Sequence, residues 1–288
     1  GQVVQRGDTM MKSKMMKMIA MGLMVLSASV LLAGCGGEQK KAADTAKDSA
    51  PNGVLKVATN CTFPPFQSID EKTGKFVGID IDLAEYIGKK MGKKVEFQDM
   101  KFASLVPTLQ SGRADMVVAG LSPTDERSKV VSFSKAYYYP PKAIIAKKGT
   151  NFSSLEMLKG KKAGTTMGTT YARDLKAVPG IDVVELDSSL LVVQDVLNGR
   201  LDAGLVDGTH AIIFCKEHPE LEMHMLALST DKDEIFCIAL PKDSKNVDKV
   251  NEILDEMMKN GEFHKILVKN LGEEQTKNYE KMVKDAGL

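Results

Sequence analysis

Cys35, Arg127 and Asp207 are the residues of this 288-residue chain whose types and settings point to chemistry. Cys35 closes Leu32-Ala33-Gly34-Cys35, the end of a segment that opens with Lys12, Lys14 and Lys17 and continues through the apolar stretch 19–33. Basic, then apolar, then small residues ending at a cysteine is the order of an export signal whose thiol receives a lipid. At about 15 residues the apolar run is short of the roughly 20 that span a bilayer. Arg127 follows Ser122-Pro123-Thr124-Asp125, which has the composition of a helix start. A guanidinium there grips both oxygens of a carboxylate, which lysine cannot do, and the amides of a helix N-terminus add favourable charge. Pairing with Asp125 or Glu126 on a solvated helix end is the competing reading. Asp207 ends the apolar run Ala203-Gly204-Leu205-Val206 and is an anion at a strand end, where an exposed aspartate caps the next turn.

Other chemistries lack their residues. CxxC pairs and Cys/His clusters are missing, and His210, His218, His224 and His264 share no metal-ligand spacing, so no structural metal is expected. Gly-x-Ser-x-Gly is absent, and Thr165-Thr166-Met167-Gly168-Thr169-Thr170 has no Walker lysine, so neither a hydrolase elbow nor a phosphate cradle is predicted. No cofactor and no catalytic residue are expected. Residues 1–34 hold four basic side chains and one acidic, which leaves 35 basic against 37 acidic in the remainder. That balance offers nothing to a polyanion, and nucleic-acid binding is excluded as a class. Cys61, Cys215 and Cys237 allow at most one internal disulfide; buried reduced thiols are the other possibility.

These residues need elements to hold them. Residues 1–9 precede the first methionine and are set aside with the signal as 1–34; residues 35–53, rich in Gly, Ala, Ser and charge, form a flexible tether. Leu55–Thr59 alternates as a strand and Phe63-Pro64-Pro65-Phe66 breaks it into a loop. Ile81, Leu83, Ala84, Ile87 and Met91 fall at helical spacing, with Gly92 as the stop. Strand 95–97, helix 105–110 and strand 116–119 continue the alternation, which resumes after Tyr137-Tyr138-Tyr139-Pro140-Pro141 with 143–146 and 163–165. Alternating strands and helices with short joins predict an α/β fold with mostly parallel sheets covered on both faces. An internal echo runs through it. Residues 104–120 and 190–207 align around Gly112-Arg113-Ala114-Asp115 and Gly199-Arg200-Leu201-Asp202, each a helix, a glycine stop and an apolar strand. Two lobes of similar construction follow, with ligand space beyond the strands' carboxyl ends. Asp115 and Asp202 precede their strands and are expected in turns or caps.

TNCTFPPF (59–66), GKFVGIDIDLAEYIGKKMG (74–92), FASLVPTLQSGRADMVVAGLSPTDERSKVVSFSKAYY (102–138), GTTMGTTYARDL (164–175), GRLDAGLVD (199–207) and IFCIALPKDS (235–244) stand in the order seen in family 3 solute-binding proteins. The chain resembles those amino-acid receptors of ABC importers from Leu55 to about Leu271. The resemblance implies a two-lobed, flytrap-like fold of the type II periplasmic-binding-protein kind. Residues 54–141 and 235–288 would form lobe one and 142–234 lobe two, with crossings near Lys142–Ala146 and Asp233–Cys237. It implies that Arg127 takes a ligand carboxylate and Asp207 its ammonium. Gly120 and Ser122 present a carbonyl and a hydroxyl, and Thr169 or Thr170 aim at the carboxylate from the other lobe. Phe63 and Phe102 flank the ligand side chain; core packing is their alternative. Asn60 stands where related receptors often carry an acid, which favours a neutral polar ligand such as glutamine over a cationic one. The implied protein is a monomer, lipid-anchored at Cys35 outside the cytoplasmic membrane, that hands ligand to an ABC permease and its ATPase. Two alternatives share the fold: a dehydratase of the cyclohexadienyl or arogenate kind, and an amino-acid sensor without a transporter. The cleft motifs contain no histidine and no carboxylate beyond Asp207, which disfavours the enzyme.

Overall fold

The computed structural model describes residues 53–229 and 231–288; the signal segment, Cys35 and the tether up to residue 52 lie outside the described residues. Two five-stranded sheets of like construction form two lobes. The first runs Lys94–Asp99, Val54–Thr59, Met116–Leu121, Phe236–Pro241, Val131–Tyr138, and the second Asp182–Leu186, Lys162–Thr166, Ala203–Asp207, Lys142–Lys147, Leu221–Met225. In each, two parallel pairings come first, as in Val57↔Phe97 and Val57↔Met116 or Val183↔Ala163 and Ala203↔Ala163. Two antiparallel pairings follow, Cys237↔Leu121 and Leu240↔Ser132 in one sheet, Leu205↔Ile144 and Met223↔Ile145 in the other. Strand–helix alternation predicts only the parallel half. The antiparallel half arises where the chain leaves one sheet and returns to it, which local sequence does not encode.

The echoed segments occupy the middle of each sheet, and the reason is visible in their hydrogen bonds. Helices Leu105–Gln110 and Ser189–Leu197 both end at a left-handed glycine, Gly112 at φ 70° and Gly199 at φ 73°. The next amides fold back in the same way, Arg113 N–H to Thr108 O and Arg200 N–H to Asp195 O, so each segment turns from its helix toward its strand through the same hydrogen-bonded stop. Asp115 and Asp202 then accept the amides of Lys56 and Lys162 at 2.8 Å, and Thr59 and Thr165 donate across to Val118 O and Leu205 O at 2.8 Å. The middle strands, buried along their full length, thus carry Gly120 and Asp207 to matching carboxyl ends.

Both faces of each sheet are covered. Val57, Leu83, Ile87 and Ile238 share one core with helix Val247–Asn260, whose Val250, Ile253, Leu254 and Met257 make the inward stripe; Leu105, Leu109 and Val117 fill the opposite face. Truncating one such buried leucine to alanine costs about 2–5 kcal/mol. The second sheet is packed likewise by Val192, Val196 and Phe214 on one side and Leu158, Leu175 and Leu205 on the other. The chain leaves the first sheet after Tyr138 and enters the second at Lys142, and it leaves the second after Met225 and re-enters the first at Phe236. Tyr279 of helix Glu273–Asp285 braces the first passage: its ring stacks on Tyr138 at 4.2 Å and its hydroxyl accepts the Tyr139 amide at 2.9 Å. The expected loop around Phe63–Phe66 is tied into a small antiparallel sheet, Thr62–Phe63, Gln67–Ile69 and Phe76–Val77. Cys61, Cys215 and Cys237 are free thiols.

Candidate functional site

Arg127 sits in the one-turn helix Asp125–Ser128, whose N-cap Thr124 accepts the Arg127 amide at 3.2 Å. Its side chain turns away from Asp125 and Glu126. Nη1 donates to Ser122 O at 2.9 Å, Nη2 donates to Gly168 O of the other lobe at 2.7 Å, and the guanidinium lies over the Phe102 ring at 5.6 Å. The expected alternative, an ion pair on the helix end, does not form; Asp125 instead meets Lys232 at 3.5 Å. Burial pulls Arg127 down to about 10, so it is charged at neutral pH. Two of its five N–H groups are used by carbonyls, and the rest remain for an anion.

Asp207 caps helix Gly208–Glu217 through Oδ1, which accepts the His210 amide at 2.9 Å. Capping is therefore real, yet the residue is 1% exposed and its Oδ2 has no hydrogen-bond partner among the described residues. Burial pushes its carboxyl up to about 7. A cation against Oδ2 restores the charged form. Arg127 and Asp207 line a single cavity of ≈ 50 Å³ between the lobes and form no ion pair with each other. The arrangement offers a fixed cation and a fixed anion to a small molecule that carries both charges.

The remaining expected residues line the same cavity. Asn60 is internally bonded, Nδ2 donating to Met100 O at 2.8 Å and Oδ1 accepting from Thr62 at 2.9 Å. Phe63 stacks on Phe66 at 4.8 Å and meets the His210 ring edge-on at 5.3 Å, so it closes the apolar side of the cavity across the two lobes. Gly120 at φ 59° leaves no room for a side chain: a Cβ there would lie 3.0 Å from the Phe236 ring and 3.2 Å from Phe63. Ser122 turns its carbonyl to Arg127. Thr169 spends its hydroxyl on Thr166 O at 2.7 Å, and Thr170 opens helix Thr170–Lys176.

Five neighbours were not singled out by sequence. Gln67, Tyr171 and Ser189 line the cavity, while Asp80 and His210 lie directly behind lining groups. Asp80 is fully buried; its Oδ2 accepts from Gln67 Nε2 and from the Gly120 amide at 2.9 Å, and burial pushes its carboxyl to about 7. It had a signal: Asp80, Leu83, Ala84 and Ile87 lie on one helix face, so an acid occupies an apolar stripe. Ser189 Oγ is 3.2 Å from His210 Nδ1, and burial drives that imidazole down to about 3. Neither Asp80 nor His210 lines the cavity, so Asp207 is its one lining carboxylate among the described residues.

The family model of bacterial extracellular solute-binding proteins, family 3, matches residues 55–273. The arginine-binding extracellular protein ArtP of Bacillus subtilis (strain 168) is 31% identical over 242 residues, covering 82% of this chain and 94% of that one. The lysine/arginine/ornithine-binding periplasmic protein of Escherichia coli (strain K12) is 33% identical over 226 residues, covering 75% of this chain and 86% of its own length. Among solved structures, an ancestral arginine-binding protein bound to arginine superposes with TM-score 0.71 at 41% identity, and an ancestral arginine-binding protein bound to glutamine with TM-score 0.71 at 42%; each covers 76% of this chain and 98% of that chain. Both are two-lobed. No helix among the described residues is long and apolar enough to cross a membrane. With its two like sheets facing one cavity and a family match along 55–273, this chain belongs to the bacterial extracellular solute-binding proteins, family 3.

Proposed function

We propose that the protein is the receptor subunit of an ABC importer, capturing a free amino acid between its lobes. The observation that carries this is the pair in one cavity, the half-buried Arg127 with unused N–H donors and the buried Asp207 with an unpartnered Oδ2. Arg127 takes the α-carboxylate, joined by the amide end of Thr170, and Asp207 takes the α-ammonium. The ligand binds the closed arrangement with contacts from both lobes and the open one with contacts from one, so it shifts the population toward closure. The closed form docks on the permease, which an ATPase drives. Relatives that bind arginine, or lysine, arginine and ornithine, support an amino acid with a polar side chain, and a similar protein holding glutamine keeps a neutral ligand in view. Lipidation at Cys35 anchors the receptor at the outer face of the cytoplasmic membrane.

A thermal-shift panel of free amino acids, run on protein stripped of carried-over ligand by unfolding and refolding, tests the receptor assignment. A ligand bound only by the folded state raises its stability by mass action. One or a few polar amino acids should give a large shift; silence across the panel sinks the proposal. Incorporation of labelled palmitate that persists in Cys35→Ser would separately remove the anchor.

A further inference from the structure

One lysine touches both passages between the lobes. Lys142 is the first residue of strand Lys142–Lys147, directly after the first passage, and it pairs in register with Asp207 on the neighbouring strand. Its carbonyl accepts the Leu226 amide at 2.8 Å, where the second passage leaves the sheet. Its Nζ meets Glu234 Oε1 at 2.6 Å, near the far end of that same passage, and also meets Asp174 of helix Thr170–Lys176. On the way the ammonium lies 5.5 Å from the centre of the Tyr171 ring, which lines the cavity.

The side chains of Lys142, Asp174 and Glu234 are 11%, 18% and 11% exposed, so the cluster is largely withdrawn from water. Two carboxylates share one ammonium there. Arg173 adds an outer tie to Asp233 at 2.6 Å, but it is half-exposed and stands 3.5 Å from both Asp174 and Glu234. Without the Lys142 charge, Asp174 and Glu234 face each other as like charges in a poorly hydrated place. Asp174 is fixed in a helix, so Glu234 and its loop are what can swing away.

Fastening decides where the lobes turn. The second passage is held to lobe two at Leu226 and at Glu234, and the first at Pro141, whose carbonyl accepts the Gly208 amide at 2.7 Å. That leaves Ile235 and residues 139–140 as the backbone that bends when one lobe rotates on the other. We propose that Lys142 is a positioning residue for ligand retention: by tying Glu234 to Asp174 it confines closure to one axis, so that the strand carrying Asp207 and the helix behind Tyr171 close on the ligand as a unit. This rests on the receptor reading and adds the part that sets release. Lys142 does not line the cavity and acts through the passage it holds.

Lys142→Met, which keeps the stem and removes the charge, tests the proposal with two readouts. Amide exchange of the ligand-free protein, followed by mass spectrometry, should accelerate about tenfold or more at Glu234 and Ile235 and stay within about twofold along Met116–Leu121. Stopped-flow tyrosine fluorescence with L-arginine and L-glutamine gives the binding rates. For whichever binds wild-type protein more tightly, dissociation should speed about tenfold or more while association moves less than about threefold. Glu234→Gln should do the same, and the double variant should dissociate no faster than either single one, because both remove one tie. Unchanged exchange at Glu234 overturns the proposal, as do dissociation rates close to wild type or additive effects in the double variant. Exchange that accelerates alike through both sheets also overturns it, since Lys142 would then only support the fold. If Lys142→Met does not fold, Glu234→Gln alone must give both results. Failure of every amino acid to bind wild-type protein removes the receptor reading, and with it any role in retention; the ligand-free exchange result is independent of that failure.

Discussion

Acidification should weaken amino-acid binding through Asp207, by an amount the structure sets. In the unliganded protein, burial holds this carboxyl near 7, against 3.8 for a free aspartate. An ammonium placed on Oδ2 favours the ionised form and returns the group to its ordinary range or below. The sign follows: binding requires the carboxylate, the folded unliganded protein carries the proton below pH 7, and so each unit of acidification below 7 costs affinity. One unit corresponds to about 1.36 kcal/mol, so between pH 8 and pH 5 the dissociation constant should rise about a hundredfold, or about 2.7 kcal/mol. The ligand's own charged groups do not titrate in this window. Titration calorimetry at pH 5, 6, 7 and 8, in buffers of different ionisation enthalpy, reads both the affinity and the proton released, which should approach one per ligand at pH 6. Asp207→Asn mimics the protonated state, so at pH 8 it should bind at least a hundredfold more weakly. A wild-type affinity constant within twofold from pH 5 to 8 refutes the assignment of the ammonium to Asp207.

Arg127→Lys keeps the charge but cannot hold Ser122 O, Gly168 O and a bidentate carboxylate together, so binding should weaken by about 2–3 kcal/mol, read by the same calorimetry; unchanged affinity removes Arg127 from the site. Gly120→Ala places a methyl 3.0 Å from the Phe236 ring on a left-handed backbone, and should lower stability by about 1–3 kcal/mol in urea denaturation. A neutral result there would mean that Phe63 and Phe236 repack freely.

Much of the candidate cavity's lining was legible because its residues lie at signals that local sequence encodes. Arg127 follows a helix start, Asp207 ends an apolar run, and Gly120 precedes a serine and a proline. The echo around Gly112 and Gly199 announced two like lobes, because a left-handed glycine after an amphipathic helix fixes the reversal into the next strand wherever it occurs. Order of motifs then carried the family. Gln67, Asp80, Ser189 and His210 were not legible in the same way. The meaning of each depends on what faces it from elsewhere, and the acid that Asp80 sets in an apolar helix stripe marks a position without naming its partner. Asp80 is a first-turn helix acid until Gly120, 40 residues on, places its amide against Oδ2. His210 belongs to the first turn of a helix until Phe63 and Ser189 close on its ring from both lobes.

Short stretches of sequence carry the export segment's composition, the alternation of strands and helices, the paired lobes and the residues with fixed charge, since helix periodicity, glycine dihedrals and side-chain chemistry are local properties. Packing between distant segments sets the antiparallel half of each sheet, the burial that moves Asp207 and Asp80 to about 7, and the meeting of Gln67 Nε2 and the Gly120 amide on one oxygen of Asp80. Those depend on desolvation and on partners far along the chain, and neither quantity exists until the lobes are packed.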